Sequence, residues 1–131
     1  MWLVKTEPST YSFADLQKEG KTVWDGVTNP VALKHLKSMA VGDEVFVYHT
    51  GDEKRIVGIA KVVKAAYPDP KAPDSKLSVV DLAAVRPLAR PVTLAEVKAD
   101  PRFKDWELVR IGRLSIMPVG AERWKWILAW K

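Results

Sequence analysis

Apolar and polar positions along the chain fall first into short alternating runs and then into helical cycles. Trp2-Leu3-Val4-Lys5 has the aromatic and β-branched content of a first strand, ended by Pro8. Alternation would put Trp2, Val4 and Thr6 on one face and Leu3, Lys5 and Glu7 on the other. A helix follows, with Ser12 as cap, Asp15 three residues on as in a capping box, Tyr11 and Leu16 set for a staple, and Gly20 as its end. Asn29-Pro30 starts the next one, because Asn can cap free N–H groups and Pro has none to leave unpaired at the first helical position. Ala32, Leu33, Leu36, Met39 and Ala40 then recur at helical spacing until Gly42.

Glu44 to His49 reads as a strand with Val45, Val47 and His49 opposed to Phe46 and Tyr48, and Thr50 to Arg55 as a polar hairpin loop. Ile56 to Lys64 is the clearest strand, and Gly58 inside it signals a bulge or a close backbone approach. Tyr67 to Ser75, with Pro68, Pro70 and Pro73, is expected to be an irregular excursion before Leu77 to Arg86 returns as a strand. Thr93 to Glu96 is a second capping box, with Val92 and Val97 set for a staple and Pro101 closing the helix. Arg113 to Pro118 reads as a late strand, and Ala121 to Trp130 as a last helix carrying Trp124, Ile127 and Leu128 on one side, with Trp126 and Trp130 nearby. No linker or repeat divides the chain, so residues 1–131 form one expected domain. Its class is α+β: a small, partly closed mixed barrel with short helices at the margins.

Composition narrows the function. There is no cysteine, so disulfides and thiolate metal sites are excluded, which suits a reducing cytoplasm. The N-terminus lacks a basic region followed by a long apolar run, and no stretch approaches a membrane span; a soluble, unexported, cytoplasmic monomer is expected. The formal charge of +5 makes a polyanion a plausible partner, although the basic residues are scattered. With two histidines and no paired metal-ligand spacing, zinc is not indicated, and glycine-rich phosphate loops and nucleophile elbows are absent. No cofactor is expected.

Two stretches could carry chemistry. In Val23-Trp24-Asp25-Gly26-Val27-Thr28-Asn29-Pro30 an aromatic ring, a carboxylate and an unobstructed backbone meet the positive end of a helix dipole, which suits a small planar polar ligand. Read alone, however, the same residues describe a core Trp24 ending a strand, an Asp-Gly turn and a capping Asn29. Lys5-Thr6-Glu7 can be drawn as a nucleophile with two activating groups, but strand geometry points Thr6 away from both neighbours and favours a strand end with a surface ion pair. Tyr48-His49 reads as the wet end of a core strand, and Ser115 is uninformative by itself. Trp124, Trp126 and Trp130 sit at helical spacing and suit core packing better than base stacking; Trp24 is the better stacking candidate.

Taken together, several segments carry a resemblance: Trp-Leu-Val-Lys-Thr-Glu-Pro at 2–8, Val-Trp-Asp-Gly-Val at 23–27, Tyr48-His49, Val57-Gly58-Ile59-Ala60, Tyr67-Pro68-Asp69-Pro70, Arg90-Pro91-Val92-Thr93-Leu94 and Leu114-Ser115-Ile116-Met117-Pro118-Val119. In order and spacing they resemble an EVE domain, nearly end to end. The resemblance implies a PUA-like mixed β pseudo-barrel flanked by short helices, related to the YTH readers of methylated adenosine in RNA and to ASCH domains. It also implies a non-catalytic role, binding modified cytosine in DNA or a modified nucleoside in RNA. The implied pocket comprises Lys5, Thr6, Glu7, Pro8, Trp24, Asp25, Gly26, Val27, Asn29, Tyr48, His49, Ser115 and Met117, with Trp24 where YTH readers have one wall of an aromatic cage. One departure stands out. Many family members have Arg-Asn-Tyr-Gln-Ala-Arg after Asp-Gly-Val, whereas here Thr28 to Leu33 offers no Arg, Tyr or Gln to touch phosphate or base.

The expectation is therefore a flipped or unpaired base stacked on Trp24 and read by backbone near Gly26 and by Asp25, Asn29 and Ser115. Lys5, Lys34 and Arg113 would contact the nucleic-acid backbone at the rim. On this reading Trp24→Ala weakens binding without unfolding the domain. Two other readings stay open: a small amidohydrolase acting on a modified nucleoside through Lys5, Thr6 and Glu7, and a protein-interaction module whose basic surface only aids solubility.

Overall fold

A computed structural model describes all 131 residues. In chain order the elements are β1 (Trp2–Thr6), α1 (Phe13–Glu19), β2 (Lys21–Trp24), α2 (Pro30–Ser38), β3 (Glu44–His49), β4 (Arg55–Pro68), β5 (Ser78–Thr93), α3 (Leu94–Ala99), a 3-10 turn (Pro101–Phe103), α4 (Glu107–Arg110), β6 (Ile116–Pro118) and α5 (Ala121–Leu128). The six strands form one sheet in the order β2-β5-β4-β3-β1-β6. Only β1 and β3 run parallel; the other neighbours are antiparallel. The terminal strands β2 and β6 do not pair with each other, so the sheet is mixed and curved but not a closed barrel.

The start and stop signals work as read. Ser12 with Asp15, and Thr93 with Glu96, form complete capping boxes, and Asn29 accepts from Val31 N–H and Ala32 N–H at the start of α2. Gly58 shows both features expected of it. A Cβ there would lie 2.5 Å from the Phe13 ring, so only glycine lets α1 seat that side chain on the sheet, and the register shifts on both sides of it.

Three expectations need correction. Faces do not alternate cleanly on β1 and β3, because both strands are interior and covered on both sides: Leu3 and Val4 are fully buried, as is every residue from Val45 to Val47, and Tyr48 and His49 nearly so. The two long strands overrun the predicted 56–64 and 77–86. β5 continues through Pro87 and Pro91 because β2 covers its outer side only as far as Ala83, and beyond that a missing N–H breaks no ladder. Residues 101–110, unassigned from sequence, hold the 3-10 turn and α4, which bury Phe103, Trp106 and Leu108. No helix is long and apolar enough to cross a membrane, and no group of three His, Cys, Asp or Glu side chains is arranged to hold a metal.

Candidate functional site

A cavity of about 680 Å³ opens between the end of β1 and β2. Lys5 and Thr6 line it from β1, and Thr10 and Tyr11 from the turn before α1. All four residues of β2, Lys21 to Trp24, line it with Asp25 just beyond, and Asp69, Pro70 and Lys71 line it from the loop after β4. The volume falls within the ~300–1,000 Å³ typical of small-ligand pockets.

Four of the residues singled out in the sequence meet here: Lys5, Thr6, Trp24 and Asp25. Trp24 is only 8 % exposed and belongs to the core cluster, yet its ring borders the cavity, with Tyr11 edge-on to it at 6.3 Å between centroids. Core residue and cavity wall are thus the same side chain, and truncating it to alanine would unsettle the fold as well as the cavity. Lys5 is half-buried; its Nζ donates to Gly112 O at 3.0 Å and lies 5.5 Å from the Tyr48 ring centre, and loss of water lowers its pKa. Thr6 Oγ1 donates to Tyr11 O at 2.7 Å and ties the turn to β1. Burial, with a hydrogen bond to Glu19, pushes the Tyr11 phenol up to about 12, so its ring stays neutral. Asp25 carries the Lys71 ammonium at 3.7 Å across the opening.

The other candidates are engaged elsewhere. Glu7 is exposed and its carboxylate accepts from the backbone and hydroxyl of Ser9, while its carbonyl starts the turn to Tyr11; Pro8 sits in that turn. Hydrogen bonds from Ser9 hold the Glu7 carboxyl below the usual range. His49 is 7 % exposed and clamps two segments: Nε2 accepts from Phe13 N–H at 3.0 Å, which leaves the proton on Nδ1 facing Glu53 at 3.0 Å. Tyr48 is 3 % exposed beneath Lys5, and burial raises its pKa. Met117 is fully buried, and Ser115 contributes its carbonyl to Lys5 N–H. Asn29 uses its side-chain oxygen to cap α2, Val27 packs into the core, and Gly26 makes an exposed turn at φ +75°, all outside the cavity lining. Lys34 and Arg113 are exposed but do not line the opening either.

Sequence reasoning missed Thr10, Tyr11, Lys21, Thr22, Val23 and the Asp69–Lys71 loop. Asp69 is 8 % exposed and turns the loop by accepting from Lys71 N–H at 2.9 Å. The Tyr67-Pro68-Asp69-Pro70 run was a usable signal: Tyr67 donates to Asp81 at 2.5 Å, which anchors the loop to β5.

The model of the family described as EVE domain matches residues 1–130. The chain belongs to the EVE domain family. Human thymocyte nuclear protein 1 is 33 % identical to this EVE domain over 162 aligned residues, covering 98 % of the chain and 72 % of the human protein. Among solved structures, Rpa0253 from Rhodopseudomonas palustris is 46 % identical with a TM-score of 0.92, over 97 % of this chain and 89 % of that one. The human THYN1 protein, solved in complex with 5-methylcytosine-containing DNA, is 34 % identical with a TM-score of 0.90, over 97 % and 94 % of the two chains. An ASCH protein from Zymomonas mobilis shares the fold alone, at 13 % identity and a TM-score of 0.51, over 95 % and 93 % of the chains. The PUA-like α+β class therefore stands.

Proposed function

We propose that this EVE domain is a non-catalytic nucleic-acid-binding module that takes an unpaired or flipped modified base into the cavity beside Trp24. Modified cytosine in DNA is the first ligand to test and a modified nucleoside in RNA the second. The observation that carries the reading is the meeting, at one opening, of an indole wall with three lysines, Lys5, Lys21 and Lys71. A nucleobase is flat, apolar on its faces, polar at its rim and tethered to a polyanion, and those are the properties such an opening complements. Flipping costs a few kcal/mol and stacking returns ~1–3 kcal/mol per base, so selectivity rests on contacts to the base edge and the modification. The likeness to a human protein solved with 5-methylcytosine-containing DNA supports the same ligand class.

Lys21 and Lys71, both exposed at the opening, take the role of phosphate contacts that sequence reasoning gave to Lys34 and Arg113. A hydrolytic role for Lys5, Thr6 and Glu7 is disfavoured because their polar atoms are bonded to three different partners, Gly112, Tyr11 and Ser9, and do not converge on one point.

Fluorescence anisotropy with matched DNA and RNA oligonucleotides, with and without a 5-methyl group on a single cytosine, tests the reading at two salt concentrations. Preference for a modified strand, weakening steeply as salt rises, is the expected result. Equal affinity for all strands, or none, rejects base reading, and turnover of acylated nucleosides would then revive the hydrolase.

A further inference from the structure

Side chains of consecutive strand residues point to opposite faces, so four neighbours in a row can border one cavity only where it runs along the strand's edge. Lys21 to Trp24 do this, and their strand, β2, is the last of the sheet, paired on one side only, with β5. The register fixes which backbone groups face outward. Ala84 N–H donates to Gly20 O at 3.0 Å, and the pairs Thr22↔Leu82 and Trp24↔Val80 follow at two-residue steps, so the Gly20, Thr22 and Trp24 positions are the hydrogen-bonded ones. Lys21 and Val23 alternate with them, and their N–H and C=O groups point off the sheet. Val23 is 43 % exposed, and the lysines and the Trp24 ring border the same opening.

We propose that the free edge of β2 reads the base: Val23 N–H donates to a ring nitrogen or carbonyl of the base, and Val23 C=O accepts from its amino or imino hydrogen. This rests on the base-reading function proposed above and identifies the reading element within it. In an extended residue the N–H and C=O lie side by side and point the same way, as do the adjacent donor and acceptor on the pairing edge of a nucleobase. A peptide strand could use the same groups, but β2 offers only two outward residues, few for strand addition, whereas a base needs one donor–acceptor pair. The side chain of Val23 has no part in this contact.

Proline separates these roles, because an outward-facing N–H on an edge strand is the one place in a sheet where its loss breaks no ladder bond. Val23→Pro is therefore expected to fold, as judged by circular dichroism, and to bind an oligonucleotide carrying one 5-methylcytosine about ten- to a hundredfold more weakly. Val23→Ala, which keeps the N–H, should bind more tightly than Val23→Pro. A second readout on the native protein covers the case in which the proline variant fails to fold: the Val23 amide should exchange with solvent quickly in the free protein and become protected when the oligonucleotide is added. If the native chain binds no oligonucleotide, the base-reading function is overturned and this inference with it. If the native chain binds but Val23→Pro binds equally, or the Val23 amide stays unprotected, base reading stands and the edge contact is overturned.

Discussion

Aromatic residues gather at two ends of this molecule, and they do opposite things. Around the 3-10 turn and α5, Phe103 meets Trp106, Trp126 and Trp130 at 5.6 to 5.8 Å between ring centres, and Trp124 stacks on Phe46 at 3.7 Å. There Trp106 Nε1 donates to Pro118 O at 2.9 Å, Arg102 lies over Trp126 while paired with Asp100, and only the buried Arg123 Nε, beside Trp106, lacks a hydrogen-bond partner. At the cavity a single indole, Trp24, has Tyr11 as its aromatic neighbour and stands beside an unpaired strand edge and three lysines. Tryptophan content by itself therefore says little about binding. What marks this site is an aromatic wall set in an open cavity beside a strand edge left unpaired and exposed lysines.

That contrast can be broken or sharpened by substitution. Trp106→Ala removes a fully buried ring and should cost about 3–5 kcal/mol of stability, measured by denaturant unfolding, while the folded fraction keeps its oligonucleotide affinity. Trp24→Ala should also destabilise, because the ring is core, but here the folded fraction should lose binding too; retention of binding would erase the distinction between the two ends. His49→Ala leaves the Phe13 N–H buried without an acceptor and should cost about 1–3 kcal/mol, with little direct effect on affinity because neither ring nitrogen reaches the cavity.

Lys21→Ala and Lys71→Ala should change stability by less than about 0.5 kcal/mol. Each should lower affinity and reduce the slope of log affinity against log salt by about one. The smallest effect is expected from Glu96→Gln, beside the aromatic end. Arg90, then Thr93, hold the Glu96 carboxyl at about 2 in the folded chain, below its unfolded value. Its contribution to stability is present above the unfolded pKa of about 4.3 and is lost as pH falls through about 2. Thermal melts between pH 5 and pH 2 should show the native chain losing more stability than the Gln variant, with binding at neutral pH unchanged.

Local signals were legible in the sequence and adjacency was not. Ser12, Asn29 and Thr93 announced three helix starts because capping is decided within three residues. Gly58 announced its own close contact, though not that Phe13 would supply it. The overrun of β5 was hidden because Pro87 and Pro91 are tolerated only where β2 has stopped pairing, and that of β4 because its far end pairs with Ser78 and Val79, both facts of sheet order. The same holds for the site. Trp24 and Asp25 stood out chemically, and the family resemblance pointed to the 2–8 segment. His49 and Met117, by contrast, became clamp and core through neighbours far along the chain. Lys21 and Lys71 carry no motif, and Val23 is only the first residue of Val-Trp-Asp-Gly-Val; they matter because a sheet edge and a loop close around one opening.

The most direct test of the central claim is a titration of nitrogen-15-labelled protein with a 5-methylcytosine oligonucleotide, following the six tryptophan indole N–H signals and the backbone amides. Shifts confined to the Trp24 indole and to amides of Lys5, Thr6, Tyr11, Val23 and Lys71, larger than those from the unmethylated strand, are the expected result. Shifts centred on the Trp126 and Trp130 indoles, or the same pattern and size with either strand, would contradict it.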